Sequence, residues 1–158
     1  MPSGFTGIPE VKYLAEREEM LVQVFIPLRE RPNGQDSSER LGMYVRFGVP
    51  GKKVTQPKNV TIEFRSESPK PLYKEEDSRR FAIMLNGQKY ISDTMVLTST
   101  QLNSVGTYSE SMMRYVHYGT FLQISMAREI RVALGHEKFD LSRDQIDALI
   151  ALANTIEP

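Results

Sequence analysis

The 158-residue chain contains no cysteine and no tryptophan. Without thiols it forms no disulfide, thiolate zinc site, iron–sulfur cluster or cysteine nucleophile. Net charge is missing too, because twenty Lys and Arg offset twenty Asp and Glu. That balance argues against a whole-molecule electrostatic footprint for nucleic acid, and no nucleic-acid partner is expected. No apolar run reaches the roughly 18–20 residues of a membrane span, so no transmembrane segment is expected. Histidine is limited to His117 and His136, which lack the His-Glu-x-x-His spacing of a zinc helix. No cofactor and no metal is expected. The start, Met1-Pro2-Ser3-Gly4-Phe5-Thr6-Gly7, lacks the basic and apolar regions of a secretory signal. Two compartments follow as expectations: the cytoplasm, or export with the signal absent from this chain. Pro2, Gly4, Gly7 and Pro9 mark residues 1–10 as a flexible leader before a single domain, 11–158.

What is present is β patterning. In Leu41-Gly42-Met43-Tyr44-Val45-Arg46-Phe47 the apolar residues Leu41, Met43, Val45 and Phe47 share one face. In Val60-Thr61-Ile62-Glu63-Phe64-Arg65 the alternation is complete, with three apolar residues inward and three polar residues in water. Period-two runs of this kind mark strands with one wet face, usually antiparallel. Phe81 to Leu85, then Asn86-Gly87, then Gln88 to Ile91 reads as a type I′ hairpin, whose two central residues need positive φ. Pairing Leu85 with Gln88 sets Ile83 opposite Tyr90. Further strands are expected at Met20 to Ile26, Met95 to Thr98 and Tyr108 to Val116, with Pro27 and Pro50 as stops or edge residues. Short strands separated by turn signals indicate an antiparallel β-sandwich or partly open barrel over residues 11–117.

After Thr120 the grammar changes. Phe121 to Leu134 contains neither Pro nor Gly, and Leu122, Met126, Ile130 and Ala133 fit helical spacing. Gly135 then reads as a left-handed helix stop. Ser142 with Gln145 forms a capping box, and Leu141 with Ile146 a hydrophobic staple, opening a second helix. Its buried face is expected to be Ile146, Leu149, Ile150, Ala153 and Ile156. The fold class is therefore mainly β (α+β), with a C-terminal two-helix hairpin over 118–158 packed on the sheets.

The tail Gly119-Thr120-Phe121-Leu122-Gln123-Ile124, then Val132-Ala133-Leu134-Gly135, then Phe139-Asp140-Leu141-Ser142-Arg143-Asp144-Gln145-Ile146 looks like the ending of small uncharacterised bacterial envelope proteins. The strands before it match that group only in general rhythm. The resemblance implies export, with the signal absent from this chain, and it implies no activity; separately, a protein or envelope partner is expected.

Candidate ligand-binding residues lie in Arg114, Tyr115, His117 and Tyr118, since Tyr and Arg dominate binding hot spots. On a strand, Met113, Tyr115 and His117 share one face, and Arg114 and Tyr118 the other. His136 is expected to be a solvated loop residue. No Gly-x-Ser-x-Gly elbow is present, Glu16-Arg17-Glu18-Glu19 and Glu75-Glu76-Asp77 lack the glycine turn of a calcium loop, and no phosphate-cradling glycine pattern occurs. No catalytic residue is therefore assigned. The expected function is a non-catalytic binding or structural module that works through the loops 31–39 and 66–80. The alternatives are an enzyme assembled from His117, Arg114 and Asp93, and a nucleic-acid-binding barrel using Arg46, Arg65, Lys52, Lys53 and the tyrosines.

Overall fold

The computed structural model describes residues 5–29 and 40–157. In chain order they form β1 (Glu10–Leu14), β2 (Glu19–Arg29), β3 (Arg40–Pro50), β4 (Asn59–Ser68), a 3-10 turn (Glu76–Arg79), β5 (Arg80–Leu85), β6 (Gln88–Thr94), β7 (Val96–Leu102), β8 (Tyr108–His117), α1 (Tyr118–Ser125), β9 (Ile130–Leu134), β10 (Glu137–Asp140) and α2 (Arg143–Asn154). The strands make two antiparallel sheets, a six-stranded one in the order β1-β2-β3-β4-β8-β7 and a four-stranded one in the order β10-β9-β5-β6. The expected loop 31–39 lies outside the described residues.

The alternating faces behave as their sequences require. Leu41, Met43, Val45 and Phe47 of β3 and Val60, Ile62 and Phe64 of β4 are all buried between the sheets. Phe81 and Ile83 of β5 and Val132 of β9 close the core from the smaller sheet. Phe64 meets Phe81 edge-on across the layers, with ring centroids 5.7 Å apart. The wet face of β4 has one exception. Glu63, expected in solvent, is 6% exposed, because Arg46 Nη1 and Arg65 Nε both donate to its Oε1 at 2.5 and 2.8 Å.

Pro27 does not end β2. The strand runs on to Arg29, with a register irregularity between Pro27 and Arg29. β1 pairs only with Glu19 to Gln23, so from Val24 on the strand is an edge, where a missing N–H costs least. Gln145 Nε2 of α2 donates to the Pro27 carbonyl there at 2.8 Å. β1 itself was not anticipated from the sequence.

The β5–β6 turn is type I′ as expected, with φ of 51° at Asn86 and 84° at Gly87. Leu85 pairs with Gln88, but Ile83 pairs with Ile91 rather than Tyr90. A bulge between Ile83 and Met84 takes up the extra residue and leaves Tyr90 exposed.

Two helices pack near the C-terminus, and the first is shorter than its sequence reading. Only Tyr118–Ser125 is helical; Ile130–Leu134 is a strand. Ile130, Val132 and Leu134 are buried while Arg131 is exposed. This period-two pattern with β-branched residues outweighs the i, i+4 reading, and Met126, placed on the apolar stripe, is 74% exposed. Gly135 has the expected positive φ, 61°, but it turns the hairpin between β9 and β10 instead of ending a helix. The connection Gly135 to Leu141 is thus mostly strand. α2 begins with the full capping box on Ser142 and Gln145. Its buried residues are Ile146, Ala148, Leu149 and Leu152, a face rotated away from the expected Ile150, Ala153 and Ile156, which are half-buried.

Candidate functional site

β7 pairs with β8 only as far as Met113. Residues 114–117 of β8 therefore have an open side, and it faces β6, the edge strand of the smaller sheet. Between the two lies a cleft of about 510 Å³ bordered by Tyr90, Asp93, Arg114, Tyr115, His117 and Asn59. Because the cleft runs along a strand edge, side chains from both faces of β8 border it.

Of the four residues singled out in the sequence, Arg114, Tyr115 and His117 meet here, and Tyr118 does not. Tyr118 is the first residue of α1, partly buried against the core. Its N–H donates to the Lys58 carbonyl at 3.0 Å. Arg114 Nε donates to Asp93 Oδ2 at 2.8 Å and Nη2 lies 2.8 Å from the same oxygen, an ion pair that links one sheet to the other. Tyr115 is 64% exposed. Among the described residues no hydrogen bond joins the His117 side chain to a carboxylate or hydroxyl, so the His–Asp relay of an acid–base site is not assembled. Tyr90, Asn59 and Ser92 of this cleft carried no sequence signal, since the bulge that brings Tyr90 outward is invisible to strict alternation.

The loop after β4 is less free than expected of a working surface. Glu110 of β8 is 1% exposed, and its Oε1 accepts from the N–H groups of Leu72 and Tyr73 at 2.6 and 3.3 Å. Arg79 adds donations to the carbonyls of Tyr73, Lys74 and Met95. Burial holds the Tyr73 phenol above its usual range, with Arg29 opposing the rise and Glu137 and Glu110 adding to it. Arg29, near the end of β2, also pairs with Glu137 of β10.

A second concavity of about 510 Å³ lies beside the start of α2, with Arg128, Arg131, Asp140 and Arg143 on its rim. Two of its arginines are already committed: Arg131 to Asp140, through bonds of 2.6 and 3.2 Å, and Arg143 to Asp147. The hydrogen bond from Arg131 holds the Asp140 carboxyl below its usual range.

The cations named for a nucleic-acid surface are dispersed. Arg46 and Arg65 converge on Glu63, Arg65 stacks 4.3 Å from the Tyr44 ring, and Lys52 lies over Tyr13. His136 is an exposed turn residue. Among the described residues no group of three or more His, Asp or Glu is arranged to hold a metal ion, and no helix is long and apolar enough to cross a membrane. No protein-family model matches the chain, and no curated protein is significantly similar to it.

Proposed function

We propose that this protein is a non-catalytic binding module of a bacterial cell envelope, and that its ligand surface is the cleft between β6 and the end of β8. The observation that carries the reading is the Arg114–Asp93 pair. It commits Asp93, the carboxylate that lines the cleft, to a guanidinium, and no hydrogen bond gives His117 an acid–base partner among the described residues. What remains at the cleft is recognition chemistry: a phenol from each strand, a guanidinium face and an open strand side. A polypeptide segment of an envelope partner suits these groups. The envelope part of the reading rests on the likeness of the tail.

Peptides selected from a displayed library on the wild-type protein and titrated by calorimetry test the cleft. Arg114→Ala and Tyr115→Ala are each expected to weaken binding about tenfold, near 1.4 kcal/mol. Hydrolytic activity in a broad substrate screen that disappears in His117→Ala would replace the binding reading with the enzyme reading. Osmotic-shock fractionation of the native gene product checks the compartment.

A further inference from the structure

Four strands bound the two sheets: β1 and β7 the larger, β10 and β6 the smaller. An edge strand presents unpaired N–H and C=O groups, and proteins guard such edges with charge, proline or bulges. β1 carries Glu10 and Lys12, β6 carries Lys89 and Asp93, and β10 carries Glu137, Lys138 and Asp140. β7 carries no charge. From Thr94 to Ser109 there is neither a charged residue nor a proline, in a chain that is 25% charged. The strand itself, Val96-Leu97-Thr98-Ser99-Thr100-Gln101-Leu102, is rich in β-forming residues. Val96 is 52% exposed, Leu102 62%, and Val105 in the following turn 81%. A single irregularity lies between Leu97 and Ser99; beyond it Ser99 to Leu102 run in regular register on β8.

We propose that β7 is a dimer edge, pairing antiparallel with β7 of a second copy so that the larger sheet continues across a two-fold axis. The absence of charge is what selects a second copy. An isologous pair sets residues near the axis against themselves, where any charge would face its like. A strand without charge meets its own copy at no such cost, and it offers an acidic or basic foreign peptide nothing to read. Opposed residues must share a face, so the axis passes through a residue position. Centred on Thr100, it sets Thr100 against the partner's Thr100 and Ser99 against the partner's Gln101. The contact is narrower than the roughly 1,600 Å² of a standard interface, so the dimer is weak, with Kd on the order of 10–100 µM.

Sedimentation velocity of the full chain over about 1 to 500 µM, spanning that Kd, is expected to show the mass rise from 18.1 kDa toward twice that value. Gln101→Lys, an edge charge of the protective kind, should raise Kd at least about tenfold while the melting curve stays in place. Should that variant melt early, Ser99→Lys, at the position opposed to the partner's Gln101, provides the same readout. Met126→Lys, remote from β7, should leave the association curve unchanged. A protein monomeric across the whole range overturns the proposal. So does a dimer that both β7 variants leave intact, or one dissolved instead by Val11→Lys on β1.

Discussion

At the residue scale, polar groups inside this molecule earn their burial by closing backbone accounts. Glu110 sits in the core and serves two N–H groups of an irregular loop that no strand could pair. Tyr73, which that loop carries, lies beside Arg29 and Glu137 and has a folded-state pKa above its unfolded value of 10.0. The unfolded chain therefore releases the phenolic proton first. The stabilisation is whole below pH 10 and is lost as pH rises from there through the folded-state value. Urea unfolding at pH 9 and pH 11 should show a steeper loss in the wild type than in Tyr73→Phe, which has no proton to release. Equal slopes would mean the phenol is not shifted.

At the element scale, the β5–β6 hairpin shows how a local signal acquires a second use. Asn86 and Gly87 adopt the positive φ values that their turn demands. Asn86 Oδ1 also accepts from the N–H groups of Arg128 and Glu129 at 3.0 and 3.1 Å, steering the chain into β9. Asn86→Ala is expected to cost about 2–3 kcal/mol, combining left-handed strain with two lost bonds. Asn86→Gly, which relieves the strain alone, should recover about 1 kcal/mol of it. Chemical denaturation of both variants separates the two contributions. The turn was legible because Asn-Gly has few alternatives. The bulge at Ile83/Met84 was not, because no residue type demands it.

At the scale of the whole molecule, the core is where both sheets and both helices meet. Met43 and Ile62 from the larger sheet, Ile83 and Val132 from the smaller, Phe121 of α1 and Leu149 of α2 surround a void of only about 10 Å³. Leu149 is 3% exposed. Leu149→Ala should therefore cost about 2–5 kcal/mol, lowering the midpoint of one cooperative transition that far-UV and near-UV circular dichroism report together. A loss below about 1 kcal/mol, the range of surface changes, would mean that α2 merely covers the sandwich instead of completing it.

The alternation in β3 and β4, the Asn-Gly turn and the Ser142–Gln145 cap were determined by the sequence alone. Each is enforced by chemistry within a few residues: side-chain direction along a strand, φ at a turn, a donor left over at a helix start. Tertiary structure decided the rest. Ile130 to Leu134 carries apolar residues that suit a helix or a strand, and the vacant side of β5 made it a strand. The meetings of Arg114 with Asp93 and of Arg46 with Glu63 likewise depend on partners brought over from other strands, which no local pattern encodes.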